Sequence, residues 1–294
     1  MIEQAWIPKA LVLSLALVMF GLGLSLATAD FRRVLRHPKA VAIALVLQLL
    51  VLPGACYAII AALSVPPVYA VGLMLLAASP GGVSANLFSH LFGGNVAMNI
   101  SLTAINTALS IVTLPLIGTW AIATFAPSGQ VVPFQFGKVM EVIAVVMIPV
   151  ALGMLVRSKA GAFAARAERV MKPFSALVLA AFALLAIASE FDALRTSFML
   201  IGPAVVVFNL ASLLSGYYVS RSAGLDQPMS SAISYEIGIH NATLAMFIAL
   251  SVLNNFQLAL PAALYSVSMY ITATAFGMLV LRPAQAKRLT LPIS

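Results

Sequence analysis

The segment Ser79-Pro80-Gly81-Gly82-Val83-Ser84-Ala85-Asn86 interrupts an apolar stretch that otherwise runs from about 67 to 92. Proline removes a backbone donor and two glycines free the chain, so a helix entering here cannot run through intact. The flanking pieces, 67–80 and 84–92, are each shorter than the about 20 residues a membrane crossing needs. Together they have the length of one crossing, broken in the middle. The pattern recurs at Ser234-Tyr235-Glu236-Ile237-Gly238-Ile239-His240-Asn241, between the short pieces 227–238 and 240–252. Unwound backbone at membrane depth is tolerated only inside protein or beside a wet cavity. The two matching breaks therefore predict a functional centre.

Outward from the breaks, apolar segments fall at roughly 8–29, 39–63, 95–126, 134–157, 170–190, 199–222 and 257–283. Of the 294 residues, 62% are hydrophobic and 8% charged. A soluble domain carries about 25% charged residues, so lipid is the expected solvent. The runs are too long and continuous for a β-barrel. Counting each broken pair once gives nine crossings in an all-α polytopic membrane protein, one transmembrane domain over 1–294.

The loops support this count. With the loop from Asp30 to Lys39 placed in the cytoplasm, thirteen lysines and arginines fall on that side. Only Lys9, Lys138 and Arg195 face the other. This positive-inside bias sets the N-terminus outside and the C-terminus inside an inner or plasma membrane. It also accounts for the net charge of +8 without nucleic acid. Ala27-Thr28-Ala29 resembles a signal-peptide cleavage site, but the basic cluster follows the apolar run instead of preceding it. Segments 8–29, 39–63, 67–92 and 95–126 form one series, and 170–190, 199–222, 227–252 and 257–283 form a second of inverted topology. Inverted repeats with one discontinuous helix each are a transporter pattern.

Glu236 is the sharpest single signal. An ionised acid at mid-membrane costs about 2.5–3.5 kcal/mol on insertion scales, and no basic residue lies in the nearby spans. A bound cation or a proton is the natural partner. Hard cations take oxygen ligands. Asn86 offers one at the first break. On 95–126, Asn95, Asn99 and Thr103 share a face, and Asn106 continues it. Ser266, Tyr270 and Thr274 form a comparable stripe on 257–283, and Gln48 is a further buried acceptor within 39–63. Glu141 reads as structural or interfacial beside Lys138, His37 and His90 as solvated edge residues, and Cys56 as a buried small hydrophobe. There is no HExxH, GxSxG or phosphate-binding loop, so neither an enzyme nor ATP-driven transport is expected.

SPGGVSAN, then GNVAMNISLT, together with EIGIHNATLA, resembles the bile acid:sodium symporter family over nearly the whole chain, in order. The resemblance implies ten helices in bacterial members, with the first lacking here, and two sodium ions behind the crossing of the broken helices. It implies a first sodium site at Asn86, Asn99, Thr103 and Glu236. The second would use Gln48, Glu236, His240 and the carbonyls of Ile237 and Ile239. Carried over in the same way, Val83, Ser84, Asn241, Met269 and Tyr270 would contact substrate. A panel domain, about 8–63 and 170–222, would rock against a core, about 67–157 and 227–283. The chain departs from the family pattern at Ala85 and Asn99, where serine is common, and at His240, where glutamine is usual. Met269-Tyr270 replaces a His-Asn pair found in some bacterial members.

The expected function is thus sodium-coupled symport of a small organic anion, bile acid-like or a small carboxylate, with no cofactor besides the coupling ion. A proton-coupled carrier of the same fold is the close alternative. A passive channel would need a continuous polar pore. The expected partners are the substrate and the bilayer, with the chain a monomer or weak dimer.

Overall fold

The computed structural model describes residues 6–126, 136–170 and 191–282. The expected span 170–190 lies almost wholly outside them, as do Lys172, Lys287 and Arg288. The side chains of Lys9, Lys138, Glu141 and Arg195 likewise lie outside the described set. Among the described residues the chain is all-helical. The helices are α1 (Trp6–Ser25), α2 (Thr28–Val34), α3 (Pro38–Ala62) and α4 (Pro67–Ala78), then α5 (Val83–Leu91) and α6 (Val96–Phe125). They continue as α7 (Phe136–Lys159), α8 (161–170), α9 (Phe191–Ser222), α10 (Gln227–Gly238), α11 (Ala242–Val252) and α12 (Phe256–Leu281).

By length and composition, four stretches are able to cross a membrane unbroken: Pro38–Ala62, Val96–Phe125, Phe198–Ser222 and Phe256–Leu281. Four such helices among the described residues, flanked by shorter apolar ones, make this a polytopic membrane architecture. The two expected breaks are present, between α4 and α5 and between α10 and α11. Buried side-chain amides and hydroxyls concentrate on α6, α9 and α10, where neighbouring helices can satisfy them.

Two local features depart from the expected layout. The segment expected as the loop 30–39 contains the end of α2. Asp30 accepts the Ala27 N–H at 2.8 Å and the Arg33 guanidinium at 2.7 Å, and Arg33 also donates to the Ala97 carbonyl at 3.2 Å. This stitches α2 to the start of α6. Within α3, a π turn at Leu47–Val51 precedes Pro53, which has no N–H for the Leu49 carbonyl. Gln48 sits in that turn.

α1 makes its principal contact with α7, whereas α3 packs on α4 and α9. Two glycines account for the close approach of α1 and α7. A Cβ on Gly23 would stand 2.2 Å from the Val150 carbonyl oxygen, and one on Gly153 would stand 2.4 Å from that of Phe20. Only glycine lets the α1 and α7 backbones approach so closely. Chain order alone carries no sign of that pairing.

Candidate functional site

The site is built where the two breaks cross. Each break leaves a few residues of extended chain, and Gly81 pairs with His240 in an isolated antiparallel bridge. Gly82 N–H donates to the Ile239 carbonyl at 2.7 Å, and Asn241 N–H donates to the Pro80 carbonyl at 2.8 Å. These bonds satisfy backbone groups that the broken helices leave open. A Cβ on Gly81 would stand 2.4 Å from the Glu236 carboxylate, so the glycine makes room for the acid. Asn241 caps α11, its side chain accepting the Leu244 N–H at 3.1 Å.

Glu236 is fully buried on α10. Its Oε2 accepts from Thr103 Oγ1 at 2.5 Å and its Oε1 accepts from Asn106 Nδ2 at 3.0 Å. Thr103 and Asn106 lie on α6, which so turns its polar face to the acid. Asn99, one turn earlier, donates to the Ala232 carbonyl at 2.7 Å. The ion pairs among the described residues are Arg33–Asp30 and Arg157–Glu168, neither of them at Glu236.

The Oδ1 atoms of Asn86, Asn99 and Asn106 are buried and have no hydrogen-bond partner among the described residues. Buried amide oxygens left this way are costly unless something positive approaches them. Neutral oxygens and a carboxylate with no basic partner suit a hard monovalent cation. Among the described residues no three of His, Cys, Asp and Glu gather, so the donor set is not that of a transition metal. The first expected ion site therefore fits sodium by its donors. Asn95 does not join it. Its side chain accepts the Met98 N–H at 2.9 Å and caps α6.

The second expected site is arranged differently. His240 Nδ1 is 3.0 Å from the Ser79 carbonyl, which also accepts from Gln48 Nε2 at 3.1 Å. The imidazole stacks on Phe208, centroids 5.6 Å apart, and meets the Tyr265 ring edge-on at 5.5 Å. Gln48 and His240 are thus brought together, through Ser79. Ile237 and Ile239, on the same stretch of chain as His240, are fully buried.

A cavity of about 680 Å³ borders the crossing. All five residues expected to contact substrate line it: Val83, Ser84, Asn241, Met269 and Tyr270. Ser84 and Tyr270 share a hydroxyl–hydroxyl contact of 3.0 Å. The opposite wall comes from α1, with Val18, Leu22 and Ser25, and charged residues are supplied by Arg157 on α7 and Glu168 on α8, 3.7 Å apart. The α1 residues, Arg157 and Glu168 were not singled out in the sequence. Exposed His90, expected as a solvated edge residue, lines the same cavity. Of the stripe on α12, Ser266 and Thr274 donate to carbonyls of their own helix.

Asn209 on α9 was also missed. It is fully buried and donates to the Gly238 carbonyl at 2.8 Å and the Tyr265 hydroxyl at 2.7 Å, and it accepts from Thr272. A lone amide in the middle of the apolar run 199–222 was the available signal.

Comparison with known proteins identifies the family. The profile of the Sodium Bile acid symporter family matches residues 12–197, more than half of the chain. The probable sodium/metabolite cotransporter BASS1, chloroplastic, of Arabidopsis thaliana is 29% identical over 264 residues, covering 89% of this chain and 64% of that protein. Its namesake in Oryza sativa subsp. japonica is 30% identical over the same shares. The sodium-dependent transporter YocS of Bacillus subtilis is 28% identical over 263 residues, covering 89% of this chain and 80% of its own. The chain thus spans a little under two thirds of the length of the two chloroplast relatives. These relatives are named as transporters, not enzymes, and sodium is the ion in their names. With its two broken helices crossing at Glu236, this chain belongs to the sodium bile acid symporter family.

Proposed function

We propose that this protein is a sodium-coupled symporter of a small organic anion, working by alternating access. The observation that carries the reading is Glu236, a buried acid that among the described residues has no basic partner and is set among amide oxygens that lack donors. Sodium at Asn86, Asn99, Thr103 and Glu236 would neutralise the acid and complete those oxygens. Asn106, which touches the carboxylate directly, joins them as a positioning residue.

Substrate would bind in the cavity beside the crossing. The lining is largely apolar, with hydroxyls at Ser84 and Tyr270, an amide at Asn241, and the Arg157 guanidinium beside the Glu168 carboxylate. That chemistry suits an apolar body carrying a carboxylate or sulfonate. The half-helix starting after each break adds favourable amide dipoles for an anion.

The moving boundary follows the packing. α1 and α7 would form the panel, and α3 to α6 with α9 to α12 the core. The cavity lies between α1 and α7 on one side and the crossing on the other. The expected nine crossings, outside N-terminus and inner-membrane location rest on the loop charges. The test is uptake of a radiolabelled anion into proteoliposomes. An inward sodium gradient should drive it, and choline substitution should abolish it. Uptake driven equally by a pH gradient in choline would overturn the sodium reading.

A further inference from the structure

The crossing divides into two halves with different donor inventories. On the α6 side, three amide oxygens (Asn86, Asn99 and Asn106) are buried without a donor among the described residues, and both Glu236 carboxylate oxygens point to α6 partners. On the His240 side, most oxygen acceptors already hold protein donors. The Ser79 carbonyl receives Gln48 Nε2 and His240 Nδ1, which uses both its lone pairs. The Gly238 carbonyl receives Asn209 Nδ2 and the Tyr265 hydroxyl. The Ile239 carbonyl receives the Gly82 N–H.

His240 itself offers the wrong atom. A carbonyl only accepts, so Nδ1 carries the hydrogen in its contact with Ser79. The remaining atom, Nε2, is a buried nitrogen without a partner among the described residues. Imidazole nitrogen suits softer metals than sodium. The ring cannot swing aside to admit a carbonyl, because Phe208 stacks on it and Tyr265 closes its edge. Among the described residues that leaves Gln48 Oε1, the Ile237 carbonyl and one lone pair of the Ile239 carbonyl, with both Glu236 oxygens already turned to α6: too few, and without a charge, to replace the hydration shell of a hard ion.

We infer that this chain binds a single sodium ion, on the Glu236–α6 side of the crossing, and that the His240 side is closed to sodium. The inference rests on the sodium-coupled reading above and narrows it to one ion for each substrate. Gln48 and His240 then act as a protein-internal tie through Ser79, holding the first break in place of an ion.

The experiment is equilibrium binding of radioactive sodium to the purified full chain in detergent, paired with thermal denaturation across sodium concentrations balanced by choline. One ion per chain is expected, with a Hill slope near one for the stabilisation. Thr103→Val should weaken sodium binding by about tenfold, the size expected for losing one hydrogen bond to a charged group. Gln48→Leu should lower the melting temperature in choline yet leave sodium affinity within about twofold, a shift of under half a kcal/mol. Two ions per chain, or a Gln48→Leu protein that loses one of two, would overturn the inference and leave sodium coupling standing. No sodium bound, with choline and sodium giving equal stability, would overturn both.

Discussion

The long helices that follow the two breaks, α6 and α12, occupy corresponding places in the two halves and carry comparable polar stripes. They use them in opposite ways. On α6, Thr103 and Asn106 bind the buried acid while Asn99 and Asn106 keep side-chain carbonyl oxygens unpartnered among the described residues. On α12, Tyr265 donates to the Gly238 carbonyl, Thr272 to Asn209, Thr274 to its own helix, and Tyr270 meets Ser84. One stripe is left short of donors, which suits a cation. The other is satisfied by protein, which suits a scaffold. The asymmetry teaches that a repeated architecture need not carry a repeated site.

The largest effect that bears on this contrast belongs to Glu236→Ala. Removing a buried, hydrogen-bonded charge costs about 2–5 kcal/mol, so sodium affinity should fall by roughly 100-fold or more. Sodium-dependent thermal stabilisation measures it, and a stabilisation equal to wild type would break the assignment. Tyr265→Phe, on the scaffold side, should leave that curve in place and lower only its baseline.

The two glycines of the first break sharpen the comparison next. The Cβ of Gly81→Ala meets the Glu236 carboxylate at 2.4 Å, whereas that of Gly82→Ala meets the His240 carbonyl oxygen at 3.2 Å. Overpacking of the first kind costs about 1–3 kcal/mol. Gly81→Ala should therefore lower both stability and sodium affinity, with Gly82→Ala close to wild type in sodium binding. Equal loss in the two variants would remove the distinction between the sides.

A smaller effect is expected from Arg157→Gln in the cavity. Loss of a half-exposed cation facing an anion should raise the KM for a carboxylate substrate about fivefold, roughly 1 kcal/mol, with sodium affinity unchanged. Concentration-dependent uptake separates the two. The smallest change should come from Tyr270→Phe, which removes one neutral hydrogen bond to Ser84, worth about 0.5–1.5 kcal/mol. It should alter substrate KM by a few-fold and leave the ion count at one.

Much of the site was legible before any coordinates. Glu236 stands out because an acid in an apolar run has no other explanation than a partner. Thr103 and Asn106 stand out because helical spacing aligns them. Asn95 shares the spacing, but it stands at the N-cap, where its side chain is taken up by the Met98 N–H. His90, Arg157 and Glu168 were not legible as cavity residues, since charged edge residues look alike whether they face water or a binding space. Asn209 was visible as a lone amide but not as the donor to Gly238.

What the sequence by itself determined is local. Composition alone selects lipid as the solvent, loop charge points to an orientation, and proline with glycine dictates where the two helices break. What only the tertiary structure decided is pairwise. Thr103 and Glu236 are 133 positions apart, Gln48 and Ser79 are 31, and no periodicity reports which of them meet. The α1–α7 pairing depended on two glycines whose significance appears only when the facing backbone is present. Helix breaking is a property of a few adjacent residues. The supply of unpaired oxygens at Glu236, and their shortage at His240, depends on which distant donors fold against each one.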